Sequence, residues 1–195
     1  MITHEIYFRL EQCFEHAPTT EQELAMRVFT EFLVCRNPHS MMLMRGSAGT
    51  GKSSLAGAFV RAMALLGQKT VLMAPTGRAA KVFSLNSGGH AAFTIHRKIY
   101  RLRSFAGVGG EYNLNDNLHA DTLFMVDEAS MVANGGGGEA AFGSGRLLDD
   151  LVRYVYSGRN CRLVLIGDQA QLPPVGEELS PALDTQFMEG YGMEV

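Results

Sequence analysis

The stretch Gly46-Ser47-Ala48-Gly49-Thr50-Gly51-Lys52-Ser53 has the spacing G-x-x-x-x-G-K-[ST], a set of residue types suited to holding a chain of phosphates. Its glycines let main-chain N–H groups turn inward and approach phosphate oxygens without a Cβ in the way. The Lys52 ammonium can reach the β- and γ-phosphates of a nucleoside triphosphate, and the Ser53 hydroxyl can ligate Mg²⁺. A second pair, Asp127-Glu128, closes the apolar run Thr122 to Val126. A carboxylate there can hold the cation opposite Ser53, and the adjacent glutamate can accept a proton from an attacking water. Together the two stretches imply Mg²⁺-dependent hydrolysis of a triphosphate. Taken singly, each has a plainer explanation: a glycine turn before a helix, and the polar end of a buried strand.

The flanking elements supply the context that chemistry needs. Met41 to Met44 reads as a buried strand and Ser54 to Leu66 as a helix, apolar at 55, 59, 63 and 66 and ending at Gly67. Thr70 to Ala74, Thr122 to Val126 and Leu163 to Ile166 read as three more strands. All four are continuous apolar runs, the mark of a parallel sheet covered on both faces. The expected architecture is α/β and doubly wound, with the polar signatures at the strands' C-terminal ends, where such sheets bind ligands.

The remaining elements are expected as follows. Residues 1–16 read as a helix with Ile6, Leu10, Cys13 and Phe14 inward. Thr20-Glu21-Gln22-Glu23 is a capping-box pattern opening a helix whose apolar face is Leu24, Val28, Phe32 and Leu33. Gln22, in its first turn, can read adenine through its amide or be an ordinary solvent-facing residue. A helix is expected from about Arg78 to Leu85, and Thr94 caps a basic one from Ile95 to Leu102. Residues 103–121 are loop-like with room for a small hairpin, and the Gly-rich stretch 134–145 is expected to be a mobile loop. A helix over 146–156 and a short one around Pro181 to Met188 complete the chain.

At 195 residues and 46% apolar, the chain suits a single domain. Its three cysteines, Cys13, Cys35 and Cys161, lack metal-ligand spacing and suit a reducing compartment. The charged N-terminal stretch lacks the apolar core of a signal peptide, and no 18-residue apolar run exists, so a cytoplasmic protein with no membrane partner is expected. The net charge of −3 hides an asymmetry: residues 1–31 carry −4, residues 32–110 carry +11 with no carboxylate, and residues 111–195 carry −10. One triphosphate accounts for Lys52 but hardly for Arg78, Lys81, Arg97, Lys98, Arg101 and Arg103. The basic block either meets an extended polyanion such as a nucleic-acid strand or pairs with acids of its own chain.

A GTPase would need N-K-x-D, and no Asn-Lys occurs. Leu85 to His90 and Ser180 to Asp184 look superficially like ABC-ATPase signatures, but the first lacks the closing glutamine and the second lies far from the acidic pair. A small-molecule kinase, or an ATP-gated nucleic-acid-binding module that hydrolyses nothing, stays open. Taken together, Thr20-Glu21-Gln22, Gly46 to Ser53, Ala74 to Lys81, Thr94-Ile95-His96, Val126 to Ser130 and Gly167 to Gly176 resemble, in order, the first RecA-like motor domain of superfamily-1 helicases of the RecD-like, 5′-to-3′ class, relatives of the exodeoxyribonuclease V alpha subunit. The resemblance implies an ATP-dependent DNA helicase motor that couples Mg-ATP hydrolysis to movement along single-stranded DNA, RNA remaining open. It implies ATP contacts from Gln22 and from Ser47, Ala48, Gly49, Thr50, Gly51, Lys52, Ser53 and Ser54, and a metal held by Ser53 and by Asp127, directly or through water. Glu128 would be the base, with Lys52 acting on the phosphates and Gln171 sensing the γ-phosphate. Pro75, Thr76, Gly77, Arg78, Thr94 and His96 would contact the strand, although His96 also suits a structural place at a helix start. Such motors use a second RecA-like domain, for which these 195 residues have no room, so this piece alone is expected to bind nucleotide weakly and to hydrolyse it very slowly. The resemblance gives the 134–145 stretch no role.

Overall fold

The computed structural model describes residues 2–103, 111–135 and 143–195. Its centre is a five-stranded parallel sheet of β1 (Met41–Arg45), β2 (Lys69–Ala74), β3 (Ala92–Thr94), β6 (Thr122–Val126) and β7 (Arg162–Gly167), in the order β1-β7-β6-β2-β3. A separate antiparallel hairpin pairs β4 (Tyr100–Arg103) with β5 (Glu111–Leu114). The continuous apolar runs are explained by burial on both faces. Met42, Met44, Leu72, Val164 and Ile166 enter one core, and Met41, Val71, Met73, Leu163 and Leu165 enter the other.

The first core is covered by α1 (Ile2–Cys13), α2 (Thr20–Val34), α3 (Lys52–Leu65) and α4 (Gly77–Asn86). The second lies under α5 (Ile95–Ile99), α6 (Leu147–Ser157), α7 (Thr185–Glu189) and the 3₁₀ turns Ala129–Met131 and Pro181–Leu183. This is the doubly wound arrangement expected, with corrections. β3 was not anticipated, because three residues are too short to show a pattern; it forms because α4 returns the chain to the free edge of β2. The basic helix stops at Ile99 rather than Leu102, since Tyr100 onward is taken into the hairpin. The expected helix at 181–188 is two pieces, separated where the Asp184 side chain caps α7 by accepting from Phe187 N–H. Of the Gly-rich stretch, residues 136–142 lie outside the described residues; its near end is held by Glu177, which accepts from the N–H groups of Asn134 and Gly135.

The second helix differs in two ways. Its cap is Thr19, not Thr20: Thr19 Oγ1 accepts from Gln22 N–H and Gln22 Oε1 from Thr19 N–H, so the reciprocal box is shifted by one residue. Its buried face is Met26, Phe29, Thr30 and Phe32, while Leu24 is 61% and Val28 42% exposed. Apolar residues cover a wide sector of the helix beside the polar one of Glu23, Arg27 and Glu31, so periodicity offered two stripes and packing chose between them. The choice rests on Phe29, stacked on Phe59 of α3 with ring centroids 4.0 Å apart and both rings fully buried.

Phe59→Ala should therefore cost about 3–5 kcal/mol, read as a lower urea midpoint with an unchanged slope.

Candidate functional site

The glycine loop connects β1 to α3, and α3 opens at Lys52 with Gly51 as its cap. Gly49 and Gly51 have φ of 80° and 83°, a left-handed conformation that other residues adopt only under strain. Ser47, Ala48, Gly49, Thr50 and Ser54 are exposed, and Ser53 is half-buried in the first turn of α3. The loop is folded on itself: the Lys52 ammonium donates to Gly46 O at 2.5 Å and Ser47 O at 2.7 Å, and lies 3.8 Å from the Asp168 carboxylate. A phosphate chain entering the loop would supply the oxygens to which this ammonium now turns.

Parallel strand order brings the remaining groups in. Asp168 follows β7, the neighbour of β1, and Asp127 follows β6, the next strand across. Asp127 is 6% exposed, and its Oδ1 accepts from Glu128 N–H at 2.9 Å. Burial pushes its carboxyl up from the ordinary value; the Glu128 N–H bond pulls it down, the Glu128 charge adds to the rise, and the Lys52 charge opposes it. Glu128 itself sits at φ 54°, an uncommon backbone conformation for a glutamate. Gln171 lies on the exposed loop after β7, and its Oε1 accepts from Ser130 Oγ at 3.1 Å. The residue beside the acidic pair thus touches the glutamine on the neighbouring loop.

Gln22 reaches the same place from α2. While its oxygen closes the capping box, its Nε2 donates to Thr50 O at 2.9 Å. With Lys52, Ser47 and Thr50 it lines an open cavity of about 530 Å³ whose far wall is Leu24, Val28 and β1. No cluster of three or more His, Cys, Asp or Glu side chains among the described residues could hold a metal alone. What is present, the buried Asp127 and Asp168 carboxylates and the Ser53 hydroxyl at the phosphate loop, fits Mg²⁺, which keeps waters and phosphate oxygens as its other ligands.

The expected strand-contact residues lie at the other end of the strand order, along the same C-terminal edge of the sheet. Ala74 and Thr94 are in register on β2 and β3, so the two chain segments that leave these strands lie side by side. Thr76 and Thr94 each cap a helix, accepting from Ala79 N–H and Arg97 N–H. Thr76, Gly77 and Arg78 are exposed and Pro75 half-buried. Arg78, Lys81 and Arg97 are exposed and make no ion pair among the described residues, whereas Lys52, Arg61 and Arg101 pair with Asp168, Glu15 and Asp116. His96 is half-buried, its ring 5.7 Å from that of Tyr100, and burial pushes its pKa down. Part of the basic block is therefore paired with acids of its own chain, and part of it faces outward. Sequence reasoning gave no role to Asp168, Ser130 or Phe93, the last lying under Arg97 and Lys98 at 5.9 and 5.3 Å. Asp168 was findable, since it ends a buried strand just as Asp127 does; Ser130 and Phe93 carried no local signal.

A glycine cradle, a lysine and two strand-end carboxylates on adjacent parallel strands define a phosphate-loop nucleotide-binding domain. Residues 19–181 match the family model described as AAA domain, and the chain belongs to that family. It is 34% identical over 137 residues to the ATP-dependent RecD2 DNA helicase of Deinococcus radiodurans, covering 70% of this chain. It is 31% identical over 186 residues to the ATP-dependent DNA helicase PIF7 of Trypanosoma brucei brucei, covering 86% of this chain. The chain spans 16% of the length of each of these relatives. Among solved structures it is similar to the Pif1 helicase of Candida albicans, with a TM-score of 0.48 and 23% identity over 82% of this chain and 34% of that one. The resemblance to a RecD-like motor domain is borne out. Among the described residues no helix is long and apolar enough to cross a membrane.

Two outcomes follow from this geometry. A Cβ at Gly51 would lie 2.7 Å from Gln22 Nε2 at positive φ, so Gly51→Ala should cost about 1–2 kcal/mol from the backbone alone. Adding Gln22→Ala should return the further loss caused by the clash, read in a double-mutant thermal cycle. The raised Asp127 pKa means the folded state favours the protonated form, so the penalty is absent below the ordinary value of 3.8 and develops as pH rises through the folded value. Asp127→Asn should accordingly raise the melting temperature of the metal-free chain at neutral pH, and the gain should vanish in acid.

Proposed function

We propose that this chain is the first motor domain of an ATP-dependent DNA helicase, binding Mg-ATP at the glycine loop and single-stranded DNA at the β2–β3 edge. The observation that carries the reading is the meeting of Lys52, Asp168 and Asp127 at the ends of adjacent strands, with Gln171 bonded to Ser130 beside the acidic pair. Lys52 leaves its carbonyl partners to bind the β- and γ-phosphates, and the N–H groups from Ser47 to Ser54 surround them. Ser53 and Asp127 would hold Mg²⁺, which would offset phosphate charge. Glu128 takes a proton from the water that attacks the γ-phosphorus as the bond to the β-phosphate's bridging oxygen breaks. The Gln22 amide has one N–H and one lone pair left beyond its two bonds, the pair an adenine edge requires. Gln171 donates to the γ-phosphate and loses that partner after hydrolysis, and Pro173-Pro174 stiffens the loop that transmits the change.

Pro75 to Arg78, Thr94 and His96 offer main-chain, hydroxyl and imidazole contacts to the strand, and the exposed Arg78, Lys81 and Arg97 offer charge to its phosphates. The two relatives, both ATP-dependent DNA helicases, support DNA over a small-molecule acceptor. A second RecA-like domain completes the cleft, so full turnover belongs to a larger assembly.

In a protein joining this chain to such a second domain, single-stranded DNA should raise ATP turnover. Glu128→Gln should lower kcat by about 10²–10⁴-fold while ATP affinity changes little, and Lys52→Ala should weaken ATP binding itself. A kinase would not respond to DNA, and a binding module would lose nothing with Glu128→Gln. Robust DNA-stimulated hydrolysis by these 195 residues alone would refute the dependence on a second domain.

A further inference from the structure

Asn134 is followed by Gly135, the only Asn-Gly pair in the chain. Such a pair closes readily into a succinimide, because glycine has no Cβ to hinder attack of its main-chain nitrogen on the asparagine side chain. In the closing step the Gly135 nitrogen, having lost its proton, bonds to Asn134 Cγ. The Cγ–Nδ2 bond breaks, and ammonia leaves carrying that proton. Water then opens the ring at either carbonyl, giving aspartate or isoaspartate.

Both reacting groups are tied down. Glu177, on the loop after β7, accepts through Oε1 from the Asn134 N–H at 2.6 Å and the Gly135 N–H at 2.5 Å. A carboxylate in that place disfavours an amide anion on Gly135, as any like charge disfavours its neighbour. The Asn134 side chain is fixed by Asp149 in the first turn of α6: Nδ2 donates to Asp149 Oδ1 at 2.9 Å, and Oδ1 accepts from Asp149 N–H at 3.0 Å. Asp149 is held in turn by the Tyr191 hydroxyl and lies 3.5 Å from the Arg146 guanidinium. Cγ turns toward the Gly135 nitrogen only by breaking two bonds, and that nitrogen ionises only after leaving Glu177.

We propose that Asn134-Gly135 is a latent deamidation site, held closed by Glu177 and Asp149 and opened when the loop after β7 releases the Gly135 N–H. The same loop carries Gln171, so the site answers to movement of that segment. The change runs one way. Either product puts a carboxylate where Asn134 Nδ2 had donated to Asp149, and isoaspartate adds a methylene to the main chain. The tie between the loop and α6 does not re-form as it was.

The test keeps the 195-residue chain in mildly alkaline buffer, folded or unfolded in guanidinium chloride, and follows conversion at Asn134 by peptide mass mapping. The folded chain should convert at least about tenfold more slowly than the unfolded one, as a group does that reacts only through local opening. Glu177→Ala should remove most of that protection; Glu177→Gln, which keeps an acceptor oxygen without the charge, should fall between. Asn86-Ser87, where Ser87 N–H is bonded to Phe83 O, is the control and should stay slow in every folded variant. Equal rates at Asn134 in the folded and unfolded wild type would overturn the proposal. So would a Glu177→Ala chain that converts no faster than wild type. If Glu177→Ala unfolds, seen as faster conversion at Asn86, the comparison of Glu177→Gln with wild type decides on the same terms.

Discussion

The ammonium of Lys52 is the point on which the site turns. It is drawn to three oxygens at once: two carbonyls of its own loop and the buried Asp168 carboxylate, with the Asp127 charge felt beyond them. A lysine so placed keeps two negative strand ends tolerable within one small volume. At Gly51, beneath Gln22, a Cβ would lie 2.7 Å from the Gln22 amide nitrogen and on a backbone of positive φ.

That convergence depends on the sheet. Because β1, β7 and β6 are parallel and adjacent, their C-terminal ends open on one edge, and whatever follows each strand is delivered there. The same rule brings the Thr76 and Thr94 caps together on β2 and β3. Two chemically different surfaces therefore share one sheet edge: a carboxylate-lined cleft at one end and an exposed basic cluster at the other. Between them lies the Gln171–Ser130 bond, joining the loop after β7 to the turn after β6.

The second helix shows how far local pattern reaches. Gln22 satisfies its own helix with one end of its amide and the glycine loop with the other, which fixes the cap at Thr19 and places Leu24 and Val28 beside the cavity along β1. From the residues alone, those two side chains are as good a core stripe as Met26 and Phe29. Only the Phe29–Phe59 stack distinguishes them.

What these residues determine by themselves is whatever depends on near neighbours. The phosphate-loop spacing, the four long strands with two buried faces, the acids at strand ends and the acid-free block are local patterns, and a local pattern needs no partner to be read. What tertiary structure decides is whatever depends on which distant segment arrives: the order β1-β7-β6-β2-β3, the three-residue β3, the pairing of Lys52 with Asp168 across 116 positions, and the choice of face on α2. It also divides the basic residues into those neutralised by the chain's own acids and those left facing outward. Charge is carried by the sequence, but its neutralisation depends on distance in space, and folding sets that distance.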